Sequence, residues 1–69
     1  MREWMKEART RKGLTQLQVA KELDMSEGYY SYIESGSRQK SMDVVLATKL
    51  AKVFDMQVQQ IIELEAASA

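Results

Sequence analysis

The side chains of this 69-residue chain that could do chemistry are hydroxyls, amides, carboxylates and cations, because the chain has neither cysteine nor histidine. Without a thiolate, an imidazole or a nitrogen and sulfur ligand set, the usual nucleophilic catalysis, disulfide bonding and zinc binding fall away. No catalytic residue, metal ligand or cofactor is therefore expected, and the chain reads as no enzyme. The groups that remain at suggestive spacing are suited to anions and polar edges. Thr15-Gln16-Leu17-Gln18 has the spacing of a capping box, in which the Thr hydroxyl accepts the amide of Gln18 and the Gln18 side chain reaches back to the cap. Ser26-Glu27-Gly28-Tyr29 opens a second polar and aromatic run, and Arg38 and Lys40 follow it.

Ten basic and ten acidic residues cancel, and neutrality alone does not point to a polyanionic partner. The distribution is less even. Residues 1–12 hold five basic and two acidic groups, and residues 36–52 hold four and one, so each segment is +3. Residues 13–35 set Lys21 against Glu22, Asp24, Glu27 and Glu34, and residues 53–69 hold Asp55, Glu63 and Glu65 alone, so each is −3. If the two basic segments share a face, that face carries a positive local field; otherwise these are charges on a solvated surface.

A chain of this length supports one core and one domain, residues 1–69. Hydrophobic residues at 45% and charged residues at 29% are ordinary globular usage. No apolar run approaches the ~20 residues that span a bilayer, and Met1-Arg2-Glu3-Trp4-Met5-Lys6 lacks a secretory core, so the expected compartment is the cytoplasm, with no membrane partner.

The periodicity predicts helices throughout and no strand. Met5 and Ala8 share a face of a first helix over Arg2 to Lys12, with Trp4 and Arg9 beside them. Thr15 opens a second, with Val19, Ala20 and Leu23 inward, ending at Asp24. Ser26 caps a third, with Tyr30 and Ile33 inward, ending at Gly36. Ser41 is expected to cap a fourth, with Asp43 in its first turn and Leu46, Ala47, Leu50, Ala51 and Phe54 at helical spacing. Val58, Ile61, Ile62 and Leu64 mark a fifth, and residues 66–69 are expected to fray. Gly13 and Gly36 read as helix stops at positive φ. The echo of Ala20-Lys21-Glu22-Leu23-Asp24-Met25 in Ala51-Lys52-Val53-Phe54-Asp55-Met56 reads as shared turn chemistry, with each Met turned toward the core.

Between the second and third stripes lie only Asp24 and Met25, followed at once by the Ser26 cap. So short a turn forces a steep crossing, the geometry of a helix-turn-helix over about residues 15–35; the alternative is an ordinary corner in a small bundle. With Tyr30 and Ile33 inward, Gly28 and Tyr32 point away and Glu27, Tyr29 and Ser31 flank them, a surface suited to a groove.

These residues resemble the Cro and phage-repressor type of helix-turn-helix domain, the Xre family. The resemblance is carried by Gly13-Leu14-Thr15-Gln16, Ala20, Leu23, Ser26, Tyr29-Tyr30-Ser31, Ile33-Glu34, Gly36, Arg38 and Lys49-Leu50-Ala51-Lys52, and covers about residues 3–64. It implies a compact, all-α, five-helix lambda-repressor-like domain that binds double-stranded DNA, commonly as a homodimer. Glu27, Gly28, Tyr29 and Tyr32 then become the base readers. Thr15, Gln16, Ser35, Arg38 and Lys40 become candidate phosphate contacts, Gln16 at the start of the second helix and the loop cations reaching from outside. Alternatively, Gln16 completes the helix start, and Arg38 and Lys40 are solvated loop charges. Arg9 and Glu34 occupy the positions of a family pair that ties the first helix to the end of the third. Val58, Ile61, Ile62 and Leu64 are a candidate dimer patch or the closure of the core.

The departures from the family pattern are Asp24 and Asp55 where Gly is usual, Ser35 where Asn is common, and a Gly36 to Ser41 loop about two residues longer than usual, with Lys40 in place of Pro. Glu27 stands where a polar or basic residue is frequent, so it either reads cytosine N4 or weakens binding. The expected function is a sequence-specific transcriptional regulator, a repressor of bacterial or phage origin on a two-fold operator, with no small-molecule effector. The alternative is a protein-interaction module on the same fold, antitoxin-like or anti-repressor.

Overall fold

Five helices follow one another: α1 Glu3–Arg11, α2 Gln16–Glu22, α3 Glu27–Glu34, α4 Val44–Phe54 and α5 Val58–Ser68. The structure, a computed structural model, describes residues 2–35 and 42–68, and no strand occurs among them. None of these helices is long and apolar enough to cross a membrane.

Each helix start has its own acceptor or tie. Thr15 forms the complete capping box: its hydroxyl accepts the Gln18 amide at 3.1 Å, and its own amide donates to the Gln18 side chain at 2.8 Å. Ser26 accepts the Tyr29 amide at 3.1 Å. The fourth helix starts later than its sequence predicts. Asp43 is its cap, its carboxylate accepting the Leu46 amide at 2.7 Å, whereas Ser41, the expected cap, lies outside the described residues. A charged acceptor facing the amino-terminal dipole makes Asp43 the stronger cap. α1 has no side-chain cap; Arg2 precedes it with its amide donated to the Glu34 carbonyl at 3.0 Å, so the chain start is pinned to the end of α3.

Three helix ends share one device. After α1, α2 and α4 the chain passes through a left-handed residue, Gly13 (φ 71°), Asp24 (φ 59°) or Asp55 (φ 57°). The next residue then donates back to a carbonyl in the last turn: Leu14 to Arg9 at 3.1 Å, Met25 to Ala20 at 3.0 Å and Met56 to Ala51 at 2.8 Å. These are Schellman ends, and in each the residue after the turn, Leu14, Met25 or Met56, packs half-buried against the core. The sequence echo around the two Asp-Met pairs is this turn, used twice. Gly36 lies outside the described residues.

The core is the one the periodicity predicts. Met5, Ala8, Val19, Ala20, Leu23, Tyr30, Ile33, Leu46, Ala47, Leu50, Ala51 and Phe54 are all buried, and Trp4 meets Phe54 edge-on with ring centroids 6.5 Å apart. The last helix, α5, extends to Ser68. Of the four residues of the candidate dimer patch, Ile61 is fully buried and Val58 and Leu64 lie partly buried on the core, because α5 folds back on α4; Ile62 alone of them stays outside, 49% exposed.

Asp tolerates the left-handed region better than most residues, but a β-branched side chain does not. Asp55→Val is expected to lower stability by about 1 to 2 kcal/mol. Asp55→Gly is expected to raise it by about 0.5 kcal/mol, relief of strain being partly offset by a looser unfolded chain. Thermal unfolding followed by circular dichroism reads both, and an unchanged midpoint for Asp55→Val would contradict the left-handed turn.

Candidate nucleic-acid interface

α3 is fixed in rotation by what it buries. Tyr30 and Ile33 are fully buried and Glu34 is 1% exposed, so the opposite side is left to solvent. That side carries Gly28 and Tyr32, both exposed, with Tyr29 exposed at one border and Ser31 half-buried at the other, while Glu27 is exposed at the amino end of the helix. The Tyr29 and Tyr32 rings lie nearly parallel, 16° apart with centroids at 6.3 Å, and form a continuous aromatic surface along the helix. A Cβ on Gly28 would meet no atom within 4 Å, so this glycine is not required by packing within the chain.

Beneath this surface the Glu34 carboxylate collects four donors. Arg9 grips it through Nε to Oε2 at 2.9 Å and Nη2 to Oε1 at 3.2 Å, Gln16 Nε2 donates to Oε1 at 3.0 Å, and the Tyr30 hydroxyl donates to Oε2 at 2.7 Å. The third guanidinium nitrogen of Arg9 donates to the Leu14 carbonyl at 3.0 Å. The pair is sheltered, with side chains 13% and 2% exposed for Arg9 and Glu34. Burial alone would push the Glu34 carboxyl up. The hydrogen bonds from Arg9, Tyr30 and Gln16, with the guanidinium charge, outweigh it and hold the carboxyl below its usual value. Arg9 is shifted up chiefly by its bond to Glu34, and Tyr30 is pushed up by burial and then by the carboxylate it donates to.

The remaining sequence-derived candidates divide. Thr15 is occupied in its capping box, and the Gln16 side chain is turned to Glu34, joining the start of α2 to the end of α3. Ser35 caps the end of α3, its hydroxyl donating to the Tyr32 carbonyl at 2.7 Å while the residue stays exposed. Arg38 and Lys40 lie outside the described residues. The basic character of residues 1–12 is partly internal: Arg9 is committed to Glu34, and Arg2 binds Glu65 at 2.7 Å and the Ile33 carbonyl at 2.6 Å.

Sequence reasoning missed that second tie. Glu65 Oε1 accepts from both Arg2 Nε and Trp4 Nε1, the latter at 2.8 Å, and so joins the two ends of the chain. No local spacing signals a contact between residues so far apart. It also missed Val44 and Val45, 73% and 66% exposed at the start of α4, which lie outside the stripe that the helix buries.

A short turn between α2 and α3, with the outer face of α3 bare and its inner face locked, defines a helix-turn-helix domain, a DNA-binding class of fold. The chain belongs to the Helix-turn-helix family, whose pattern matches residues 5–61. It is similar to YqaF, an uncharacterized HTH-type transcriptional regulator of Bacillus subtilis (strain 168), with 40% identity over 52 residues. The match covers 75% of this chain and 66% of that protein, just under two thirds of its length. No solved structure is a significant match to the chain.

The Glu34 cluster makes stability depend on pH at both extremes. A carboxyl held below its ordinary value of 4.5 contributes stability that is complete above that pH and is lost as pH falls through the lower folded value. Tyr30, held neutral in the fold, contributes stability that is complete below the ordinary tyrosine value of 10.0 and declines above it. Glu34→Gln is expected to flatten the acid limb and to cost about 3 kcal/mol at neutral pH, since it leaves the sheltered guanidinium without its counter-charge. Denaturant unfolding across pH measures both, and a double-mutant cycle of Arg9→Gln with Glu34→Gln that gives no coupling would refute the pair.

Proposed function

We propose that the chain is a sequence-specific DNA-binding transcriptional regulator that represses from a two-fold operator as a homodimer. The observation that carries this is the exposed surface of α3, Gly28, Tyr29 and Tyr32 along its outer face and Glu27 at its amino end, on a helix whose other side is locked by Tyr30, Ile33 and Glu34. The chain's similarity to a Bacillus protein named as a transcriptional regulator supports the reading.

Size supports the dimer. The domain measures 26 × 25 × 20 Å, which covers one half-site when half-sites lie ~34 Å apart, so a two-fold site calls for a second copy. Ile62 is the member of the candidate patch with surface to offer. It borders a groove of about 110 Å³ with Val44, Met42 and Ala47, so the contact surface takes in the start of α4 as well as α5.

On DNA, phosphate contacts come from the loop cations Arg38 and Lys40, from Gln16 and Thr15 at the start of α2, and from Ser35 at the end of α3. Of these only the cations release counterions in number, so the expected salt slope is modest, about −2 per bound copy at −0.9 per neutralised phosphate. Arg38→Ala is expected to reduce that slope by about 1 without changing sequence preference. Tyr32→Ala is expected to keep the midpoint of unfolding near that of the parent while lowering affinity by about 1 to 3 kcal/mol. Gly28→Ala meets no obstacle within the fold and is expected to stabilise α3 by about 0.5 kcal/mol while weakening DNA binding, because its methyl group lies between backbone and groove.

Gel shifts of the whole chain against the DNA flanking its own gene, with salt varied, test the proposal. Salt-dependent binding with discrimination among duplexes is expected. Absence of any shift at low salt would turn the reading toward the protein-interaction module.

A further inference from the structure

The reading surface of α3 has an unusual inventory. Its sequence, Glu27-Gly28-Tyr29-Tyr30-Ser31-Tyr32-Ile33-Glu34, contains no Arg, Lys, Asn or Gln. Purines are read in the major groove chiefly by such side chains, Arg or Lys on guanine O6 and N7 and Asn or Gln on adenine N6 and N7. α3 offers instead one exposed carboxylate, Glu27, and one exposed aromatic surface, the Tyr29 and Tyr32 rings.

From this we propose that α3 reads its half-site through pyrimidines, Glu27 accepting from a cytosine N4 amino group and the tyrosine rings packing on thymine methyl groups. The proposal rests on the DNA-binding reading above and specifies what that site recognises. A carboxylate has only acceptors, so in the groove it requires an exocyclic amine. Cytosine N4 supplies one with no competing acceptor on the same base edge, whereas on adenine the N7 acceptor sits beside N6 and repels the charge. Glu27 stands in the first turn of α3, where the helix dipole favours its negative charge and offsets part of its repulsion from phosphates.

The aromatic spacing adds a register. Successive bases on one strand lie ~3.4 Å apart, so ring centroids 6.3 Å apart span nearly two base steps. A near-parallel pair at that spacing can meet methyl groups two positions apart along the groove wall. The same pair read as a hydrophobic surface for another protein would show no preference for the 5-methyl group of a base.

The test is selection of the whole chain on a randomised duplex pool, followed by chemical changes to the selected DNA. Changing the DNA leaves the protein fold untouched. The expected half-site contains a cytosine with thymines within two steps of each other. Each contacted thymine replaced by deoxyuridine should lower affinity about fourfold, the worth of one buried methyl group. Replacement of the contacted cytosine by N4-methylcytosine should lower it about tenfold. Glu27→Gln, with folding checked by circular dichroism, should move preference at that position from cytosine to adenine, because an amide can fork to N6 and N7. A selected site whose affinity ignores deoxyuridine, or a Glu27→Gln preference unchanged at every position, would overturn the inference while leaving sequence-specific binding intact. Failure to enrich any sequence would overturn both.

Discussion

The fold depends on one buried carboxylate. Glu34 ends α3, yet its two oxygens hold side chains from α1, from α2 and from its own helix, through Arg9, Gln16 and Tyr30. An acid in that position is costly unless every lone pair is used and a counter-charge is present, and both conditions are met. The reward is angular. Arg9 extends the network to Leu14, the residue that closes the turn after α1, so a single cluster sets the positions of three helices around the start and end of the helix-turn-helix. A purely apolar contact of similar size would hold the helices together without selecting one rotation of α3, because apolar packing is not directional. Four directed hydrogen bonds leave that rotation little freedom, and the rotation decides which residues face outward.

The helix ends supply the second constraint. A Schellman end turns the chain sharply and at once returns an apolar side chain to the core, which is why Asp24 and Met25 suffice to join α2 to α3. The two-residue link fixes the crossing, and the Glu34 cluster fixes the rotation. Neither alone determines the outer face. Arg2 and Trp4, both on Glu65, then hold the carboxyl-terminal half of α5 over the start of α1, closing the core with the last part of the chain.

What the sequence makes legible follows the range of the interaction. The capping box at Thr15, the cap at Ser26, the left-handed turns at Gly13, Asp24 and Asp55, and the inward stripes are all set by residues three to five positions apart, and periodicity exposes them. The start of α4 is misjudged, because Ser41 is as good a cap by residue type and puts Asp43 in the first turn, whereas Asp43 is itself the cap. The Arg9 and Glu34 pair is legible only through resemblance, because its partners are far apart in sequence. The roles of Arg2 and Glu65 are not legible at all, since nothing local distinguishes them from solvated charges. In α5, periodicity does not separate Ile61 from Ile62: both fit a helical stripe, and only the seating of α5 on α4 decides that the first is core and the second is surface.

Glu27 and Glu34 show how the same helix serves both constraints. They lie about two full turns apart and so point in nearly the same direction from the α3 axis, with Tyr30 between them on that side. Yet Glu34 and Tyr30 are buried and Glu27 is exposed. Rotation cannot explain the difference, so position along the axis must: α3 runs into the body at its carboxyl end and stands clear of it at its amino end. Only the exposed end is open to a partner, which leaves the first turns for contact and the last turn for structure. The acid at the buried end is neutralised by Arg9, whereas the acid at the free end stands in solvent on the part of α3 that remains accessible.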